Sequence, residues 1–438
     1  MGPLSVYFCA MPTNPLLDEL SWRGLLYQQT ESLGAALDAG VVTGYCGFDP
    51  TASSLHVGNL IPVMGLVHLQ RHGHRPIVLV GGGTGMIGDP SGKTAERQLR
   101  SEDEIGENTR AIRAQLERFL SFDEERGARM KDNADWLRGL GAIEFMRDTG
   151  KHFTVNYMLQ KESVKSRIDG GISFTEFSYM LLQAYDFLAL HRSCGASLQL
   201  GGSDQWGNIT AGIELIRRVE GQEAHALTHP LVTTSSGTKF GKTEAGAVWL
   251  DPERTTPYAF YQFWMRTEDI DAGRFLRYFT LLPREEIERL EQASAAHPEK
   301  REAQAALARE VTTRIHGDEG VRVAEEVTRF FFQEFDARQF SEGALRVLAR
   351  ETSDAEVAEG EIAGAHSGEL DVLKLVTASG LAASNGAARR LLEQGGLSIN
   401  KRKLGTSERT VQSSEVLLAG RHVVVGKGKR DYSVLRVR

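Results

Sequence analysis

The chain has 438 residues, 41% of them hydrophobic and 25% charged, with a formal net charge of −7. This length exceeds what one hydrophobic core usually organises, and the composition is typical of a globular protein, so we expect two or three domains, one of them large. Three scattered cysteines exclude a disulfide framework and a four-thiolate zinc site, and the lack of an apolar run of roughly 20 residues excludes a membrane helix.

The first ten residues carry an apolar stretch around Val6 to Cys9 but lack the basic start and the length of a signal peptide. Met11 offers a second plausible start, so residues 1–10 are interpreted as an extension without a role. We therefore expect a cytoplasmic protein without membrane association and without structural zinc.

Three segments in the first half share one pattern, an apolar β-rich run followed by a glycine turn and a helical pattern. They are Val41 to Phe48, Pro76 to Val80 and Ser197 to Leu200. Strands that each lead into a helix predict an α/β domain with a parallel sheet, placed here at residues 1–252, with a charged helical insertion at about 96–165. In such sheets ligands bind at the carboxyl ends of the strands.

The first of these strands leads into a candidate nucleotide site. Gly47 and Gly58 allow a ligand to approach the backbone, and the helix start offers unpaired N–H groups to a phosphate. Taken alone, His56 is more commonly a capping or packing histidine. The preceding strand and the Gly-Phe-Asp-Pro-Thr segment favour the nucleotide site instead.

A helix is predicted farther along the chain, around Tyr179, Gln183 and Asp186. These residues have i, i+4 and i+7 spacing and therefore share one helix face. Their neighbours are mostly apolar, which predicts a buried helix whose polar groups need partners. Either a bound polar ligand or an internal hydrogen-bond network would supply them.

Two polar segments follow. Gly201 to Asn208 forms a glycine-rich turn after the third strand, and Lys239 to Thr243 lies on a predicted loop where two ammonium groups could close over a triphosphate. A pentapeptide of this kind is usually solvated surface. Its occurrence together with the upstream nucleotide site favours the functional interpretation.

The second half is predicted to be helical at 253–341, weakly structured at 342–369, and a compact basic α+β unit at 370–438. That last unit carries 13 Lys and Arg against 5 Asp and Glu, a net charge of +8, whereas the rest of the chain carries −15. Lysine and arginine gain by displacing counterions from phosphates, so the unit is a candidate polyanion contact. An idle basic surface explains the charge equally well.

These motifs resemble those of class I aminoacyl-tRNA synthetases. His56-Val57-Gly58-Asn59 resembles the His-Ile-Gly-His signature, and Lys239-Phe240-Gly241-Lys242-Thr243 resembles the lysine-rich mobile loop. Asn59 replaces the second signature histidine; its amide can donate a hydrogen bond to a phosphate oxygen but cannot become cationic. The resemblance implies a Rossmann-like catalytic domain.

The resemblance narrows to bacterial-type tyrosyl-tRNA synthetases through the tyrosine before Cys-Gly-Phe-Asp-Pro and the Tyr-x-x-x-Gln-x-x-Asp helix, and it extends over 81–93 and 201–208. It implies that Asp186 and Tyr45 hold the substrate phenol. It also implies that Tyr179, Gln183 and Asp89 hold the ammonium group, with Gln205 beside the carboxylate. Asp204 would contact the ribose, with the Cys46 thiol nearby as a weak partner.

The same resemblance implies an ATP site that Mg²⁺ shares. Its catalytic residues would be Thr51, His56, Asn59, Lys239, Lys242 and Thr243. The full set of ATP contacts would be Gly47, Asp49, Thr51, His56, Gly58, Asn59, Gly202, Asp204, Lys239 and Lys242.

The basic tail resembles an S4-type RNA-binding domain, which presents a basic helix and an adjacent turn to structured RNA. The implied contacts are Arg389, Arg390, Lys401, Arg402 and Lys403. Phosphate contacts of this kind set affinity more than sequence choice. Members of the family are homodimers, which places the expected seam near 153–166.

The predicted function is therefore a tyrosine–tRNA ligase that activates L-tyrosine with ATP and transfers it to tRNA(Tyr). A tryptophanyl-tRNA synthetase shares the fold and both nucleotide motifs, but the pairing of Tyr45 with Asp186 disfavours it. An RNA-binding protein that has lost catalysis is disfavoured by His56 and the intact lysine loop.

Overall fold

The computed structural model describes residues 14–88, 101–123, 127–161, 164, 165, 168, 170–235, 240–243 and 246–438. The chain divides into two compact units, the first comprising Met1–Asp251 with Thr267–Leu307 and the second comprising Pro252–Arg266 with Ala308–Arg438. Within the described ranges, no helix combines the length and apolarity that crossing a bilayer requires.

A six-stranded sheet organises the first unit in the order β1-β6-β5-β2-β3-β4. Its strands are Gln28–Gln29 (β1), Thr43–Phe48 (β2), Arg75–Val80 (β3), Arg129–Asp132 (β4), Ala196–Gly202 (β5) and His225–His229 (β6). Only β1 pairs antiparallel, with β6; the other pairings are parallel. The predicted parallel sheet is confirmed, and its centre is formed by the three strands expected from sequence.

Helices cover this sheet. Those of the first unit include Pro15–Arg23 (α1), Leu33–Ala39 (α2), Leu60–Arg71 (α3), Glu102–Leu116 (α4), Ala134–Leu137 (α5), Ala142–Glu144 (α6), Val155–Leu159 (α7), Phe174–Cys194 (α8) and Trp206–Glu220 (α9). Helix α3 is apolar along most of its length, and nine of its residues are buried. Such a helix lies inside the core, which fixes the position of the turn that precedes it.

The insertion predicted at about 96–165 is not purely helical. It contains α4 but also β4, which pairs in parallel with β3 and so extends the sheet. The sequence of β4, Arg-Met-Lys-Asp, has no apolar run because the strand lies at the edge, where charged side chains reach solvent. The prediction missed this strand for that reason.

The region predicted as a helical domain at 253–341 is helical but is shared between the two units. Helices Asp269–Phe279 (α11) and Arg284–Ala296 (α12) belong to the first unit, where Phe275 and Phe279 pack against Phe240 with ring centroids 4.9 and 5.1 Å apart. Helix Pro257–Met265 (α10) belongs to the second unit, and Glu302–Phe332 (α13) continues into it, interrupted at Gly317.

The second unit contains a five-stranded sheet in the order β12-β11-β14-β15-β9 and a small ladder of β10 with β13. The strands are Ser353–Val357 (β9), Glu369–Asp371 (β10), Leu397–Ile399 (β11), Arg402–Lys403 (β12), Thr410–Gln412 (β13), His422–Lys427 (β14) and Asp431–Val437 (β15). The helices are Glu342–Glu351 (α14), Glu359–Ile362 (α15), Val372–Ala378 (α16), Asn385–Glu393 (α17) and Ser413–Val416 (α18).

The prediction of a weakly structured linker at 342–369 is wrong, because this segment contains α14 and β9. Ser341 caps α14, whose Leu345 and Leu348 are completely buried, and β9 pairs in parallel with β15. The many Glu, Ala and Gly residues concealed an amphipathic helix whose apolar positions are few but correctly spaced.

Candidate active site

The first candidate motif forms a tight turn after β2. The His56 N–H donates to Asn59 Oδ1 at 3.0 Å, and the Gly58 N–H donates to His56 Nδ1 at 3.0 Å. This reciprocal capping fixes a 3₁₀ turn, Val57–Asn59, directly before α3. Since Nδ1 accepts, the proton of the neutral imidazole lies on Nε2. The side-chain oxygen of Asn59 is therefore used to bind the backbone of the turn.

The described part of the second motif lies beside this turn. The Val57 N–H donates to the Val248 carbonyl at 3.0 Å, and His56 forms an isolated bridge with Trp249. Gly241 has a φ of +80°, and a Cβ there would lie 2.7 Å from Val57 Cγ2, so only glycine allows this approach. Lys239 lies outside the described residues, whereas Lys242 and Thr243 form a short strand (β7) paired with Gly246–Ala247 (β8).

A buried carboxylate marks the predicted tyrosine pocket. Asp186 is only 2% exposed and accepts hydrogen bonds from Asn133 Nδ2 at 2.9 Å and from Trp136 Nε1 at 2.7 Å. Burial raises the pKa of Asp186 to about 7, and the carboxylates of Asp49 and Asp132 add to this rise, whereas the two hydrogen bonds oppose it. The pKa of the Asp186 carboxyl group therefore lies near neutral pH.

Tyr45 belongs to the same pocket. Its ring packs edge-on against Phe187 with centroids 5.2 Å apart, and its buried hydroxyl has no hydrogen-bond partner in the described part of the chain. The pKa of Tyr45 is raised well above its ordinary value, mainly by burial and to a smaller extent by the negative charge of nearby Asp186. A buried hydroxyl without a partner costs about 1–3 kcal/mol, so a ligand that supplies a hydrogen bond here is favoured.

A chain of hydrogen bonds connects this pocket to the end of β2. Thr84 Oγ1 donates to Asp49 Oδ1 at 3.3 Å, and Asn133 Nδ2 contacts Thr84 Oγ1 at 2.9 Å as well as Asp186. Because β2, β3 and β4 are parallel neighbours, their carboxyl ends bring these three groups together. The pocket of Tyr45 and Asp186 and the turn of His56 therefore lie at the same edge of one sheet.

The remaining predicted side chains on α8 are held in an amide cluster. Gln183 Nε2 donates to Gln205 Oε1 at 3.2 Å, and Asn208 Nδ2 donates to Gln183 Oε1 at 3.0 Å. Tyr179 is buried on the same helix, one turn before Gln183. The predicted helix face is thus formed, whereas Asp89, its predicted neighbour, lies outside the described residues.

Other predicted ATP contacts surround the strand ends. Gly47 is exposed, and a Cβ there would meet nothing within 4 Å in the described structure, which leaves room for a ligand. Thr51 is half-buried after β2. A Cβ on Gly202 would come within 2.5 Å of Asp204 Oδ1, so glycine lets the Asp204 turn fold tightly against β5. Burial raises the pKa of the Cys46 thiol to about 12, so it stays protonated.

The sequence prediction missed three polar residues of the pocket. Asn133 and Trp136 follow the unrecognised edge strand β4, so the signal that could have found them is a polar pair, Asp132-Asn133, at a strand end. Asn208 lies three residues after Gln205, at the beginning of α9. Among the described residues there is no group of three side chains suited to hold a metal ion.

The predicted RNA contacts differ in their surroundings. Arg389 and Arg390 are exposed on α17, and Lys403 is exposed on β12. Arg402 pairs with Glu408 at 2.7 Å. Lys401 instead donates to the carbonyls of Phe330 and Gln333, the latter at 2.9 Å, and burial lowers its pKa. Its ammonium group caps the end of α13, so we remove Lys401 from the candidate RNA contacts.

Comparison with known proteins agrees with this geometry. Residues 38–333 match the family described as "tRNA synthetases class I (W and Y)", and residues 355–435 match the "Tyrosine--tRNA ligase SYY-like C-terminal domain". The fold and site therefore define a class I aminoacyl-tRNA synthetase.

The relatives narrow this class. A "Tyrosine--tRNA ligase" of Anaeromyxobacter dehalogenans is 54% identical over 97% of this chain and 99% of its own, and one of Roseiflexus castenholzii is 49% identical over 96% and 99%. The crystal structure of a truncated Aspergillus nidulans mitochondrial tyrosyl-tRNA synthetase superposes with a TM-score of 0.66 at 30% identity, covering 72% of this chain and 94% of that one. The chain belongs to the tyrosine–tRNA ligase family, which confirms the predicted function.

The raised pKa of Asp186 generates a prediction for the stability of the protein without bound substrate. A carboxyl whose folded pKa lies above its unfolded value contributes stability that is complete below about pH 4 and is lost as pH rises through about 7. The free energy of unfolding of the unmodified protein should therefore fall relative to that of Asp186→Asn between these pH values. Carboxyl NMR should show Asp186 titrating near pH 7, and Asp49→Asn should lower that midpoint. A midpoint near 4 would contradict the burial argument.

Proposed function

We propose that tyrosine is activated at the carboxyl edge of the first unit's sheet, with its phenol between Tyr45 and Asp186 and its carboxylate directed toward ATP at the His56 turn. The observation that carries this assignment is the buried Tyr45 hydroxyl, which has no hydrogen-bond partner among the described residues and lies beside a buried carboxylate. Tyrosine has the one phenol that can donate to Asp186 and accept from Tyr45 at once.

The substrate's amino acid end is assigned to the amide cluster. Tyr179, Gln183 and Asp89 hold the ammonium group, and Gln205 lies beside the carboxylate. Asn208, which donates to Gln183, is a positioning residue because it orients that amide. The carboxylate of tyrosine is itself the nucleophile, so no covalent enzyme intermediate is needed. Holding it in line with the α-phosphorus of ATP therefore supplies much of the rate enhancement.

The triphosphate is assigned to Thr51, His56, Lys239, Lys242 and Thr243. In this proposal the Nε2 proton of His56 faces the phosphates, and Asn59 contributes mainly by holding the turn. Gly47, Asp49, Gly58, Gly202 and Asp204 shape the space for the nucleotide. Mg²⁺ would share the charge of the triphosphate and be held chiefly by its oxygens, as is usual for this ion in nucleotide sites.

In the second step the terminal ribose hydroxyl of tRNA(Tyr) attacks the carbonyl carbon of tyrosyl-adenylate. The bond from that carbon to the AMP phosphate oxygen breaks, and AMP leaves. We assign no side chain as general base; the leaving phosphate accepts the proton. The basic residues Arg389, Arg390, Arg402 and Lys403 would hold the tRNA by its phosphates.

The selectivity of the pocket can be tested by pyrophosphate exchange with each amino acid in turn. Tyrosine should be the preferred substrate. Tyr45→Phe should reduce discrimination against phenylalanine by roughly 2- to 13-fold, and Asp186→Asn by roughly 10- to 150-fold, because a charged partner contributes more. As a control, Asp204→Asn should slow both substrates without changing their ratio. Undiminished discrimination in Asp186→Asn would refute the phenol assignment.

The lysine loop should act mainly during bond breaking. Lys242→Ala should lower kcat for adenylate formation by roughly 100-fold while tyrosine affinity changes little, since its ammonium stabilises the departing pyrophosphate. Stopped-flow measurement of adenylate formation gives both quantities. The exposed residue Lys300 provides a control, and Lys300→Ala should leave both unchanged. Equal losses in rate and tyrosine affinity would argue against this role.

The RNA assignment separates contact residues from supporting ones. The double substitution Arg389→Ala, Arg390→Ala should weaken tRNA binding and reduce the slope of log affinity against log salt by roughly 1–2. Lys401→Ala should cost about 1–2 kcal/mol of stability and leave that slope unchanged. Arg346→Ala, on exposed α14 surface, is the control. A slope that changes with Lys401 and not with the arginine pair would reverse the assignment.

We also propose that the chain acts as a homodimer. Because the sequence contains only three cysteines, we further propose that it works in a reducing, cytoplasmic environment. Among the described residues of 143–174, five large apolar side chains are exposed: Ile143, Met146, Val155, Ile168 and Phe174. This segment includes the seam predicted near 153–166. Exposed apolar groups clustered in one segment are typical of an interface.

The interface can be tested by sedimentation equilibrium. Val155→Glu should shift the protein toward monomers, because it buries a charge in an apolar contact. Val41 has nearly the same exposure, 62% against 60% for Val155, so Val41→Glu is a matched control that should not change the mass. A monomer before any substitution would end the proposal.

A further inference from the structure

A buried hydroxyl group lies between the two motifs that we assign to the nucleotide. Ser54, two residues before His56, is 4% exposed. Its Oγ donates to the Leu55 carbonyl at 2.7 Å and accepts from Gln115 Nε2 at 3.0 Å and from the Asp251 N–H at 3.1 Å. A hydroxyl group has one donor and two acceptor lone pairs, so every hydrogen-bonding position of this side chain is used.

The hydroxyl group extends a pairing between two backbone segments of the first unit. Residues 248–251, which follow the lysine motif, run antiparallel to residues 54–57. The Leu250 N–H donates to the Leu55 carbonyl at 2.9 Å, beside the bond of the Val57 N–H described above. The side-chain bond to residue 251 prolongs this pairing by one residue. The segment that leads into the His56 turn is therefore fixed against the segment that leaves the lysine motif.

Helix α4 orients this hydroxyl group. The side-chain amide of Gln115 donates to it through Nε2 and accepts from the Leu55 N–H through Oε1 at 2.9 Å. Two turns earlier on the same helix face, Asn108 is 5% exposed, and its Nδ2 donates to the Pro50 carbonyl at 2.9 Å. The helix thus binds both ends of the loop that connects β2 to the His56 turn.

The lysine motif is attached directly to residues 248–251. The Val248 N–H donates at 3.1 Å to the carbonyl of Gly241, which lies within the motif. Strands β7 and β8 form a short hairpin that leads from Lys242 to residue 247. A displacement of residues 248–251 would therefore displace the backbone that carries Lys242.

We propose that Ser54 is a positioning residue for adenylate formation, because its hydroxyl group, oriented by Gln115, sets the lysine motif against the His56 turn. This inference rests on the proposed function, since it concerns the triphosphate site assigned to those two motifs. Ser54 touches no reacting atom and acts through the placement of Lys242. Groups that stabilise a departing pyrophosphate are effective only when they are already in place as the bond breaks.

The test measures adenylate formation by stopped flow in single and double variants of the full-length protein. Ser54→Ala leaves the Gln115 amide and the Asp251 N–H without their acceptor, so the rate constant should fall roughly 10- to 100-fold. The Kd of tyrosine should change by less than about twofold, because the phenol pocket is untouched. In the Lys242→Ala background, Ser54→Ala should lower the rate constant by less than about threefold, since the group that it positions is already absent.

Thr280→Val is the matched control, because it also removes one buried hydroxyl group from the first unit. Thr280 is 1% exposed; its Oγ1 donates to the Leu276 carbonyl at 2.7 Å and accepts from the Leu282 N–H at 3.4 Å. This substitution should lower the melting temperature about as much as Ser54→Ala does, yet it should leave the rate constant within about twofold of the original. Gln115→Glu is a second variant that keeps the Ser54 hydroxyl group. It retains an acceptor for the Leu55 N–H but cannot donate to Ser54, so the rate constant should fall roughly threefold or more.

Equal losses from Ser54→Ala with and without Lys242 would assign Ser54 to general stability and overturn this inference, while the role of Lys242 would stand. A rate constant that neither Ser54→Ala nor Gln115→Glu lowers would overturn it as well. Failure of the proposed function gives a different result: the unsubstituted protein would form no tyrosyl-adenylate, or Lys242→Ala alone would leave the rate unchanged. Either of those two results would also end the inference about Ser54.

Discussion

The burial of one carboxylate, Asp186, governs the arrangement of the candidate site. A charge in the core is stable only with hydrogen-bond partners, and here Asn133 and Trp136 supply them from the segment after β4. Asn133 also contacts Thr84, which donates to Asp49 at the end of β2. The need to satisfy one buried group therefore fixes the relative positions of three strand ends.

Much of this site was predictable because it depends on local periodicity. The i, i+4, i+7 spacing of Tyr179, Gln183 and Asp186 is a property of any helix, and the apolar neighbours indicated its burial. The central strands were recognisable from their continuous apolar runs, which are typical of buried parallel strands. Those two signals were enough to predict the class of fold and the helix face that carries Tyr179, Gln183 and Asp186.

Other features were hidden because they depend on contacts distant in sequence. The edge strand β4 has a charged sequence, so the partners of Asp186 that follow it gave no local signal. Helix α14 and strand β9 are stabilised by packing in the second unit, and composition alone suggested a linker. Lys401 looked like its basic neighbours, yet only the fold brings it to the carbonyls of Phe330 and Gln333.

The turn of His56 is held by Asn59, the residue that departs from the His-Ile-Gly-His signature. The side-chain amide oxygen of Asn59 accepts a hydrogen bond from the backbone N–H of His56, so an asparagine can hold the geometry of this turn. The first and second motifs then meet through backbone contacts near Val248 and Gly241. In this chain the position of Asn59 is therefore used for a hydrogen-bond acceptor that reaches the start of the turn.

The near-neutral pKa of Asp186 also has a consequence for thermodynamic measurements of substrate binding. If the phenol donates to an ionised carboxylate, each binding event near neutrality must expel a fraction of a proton into the medium. The apparent heat of binding would then include the ionisation enthalpy of the buffer. The difference in that heat between phosphate and Tris would count the protons released by a single buried side chain.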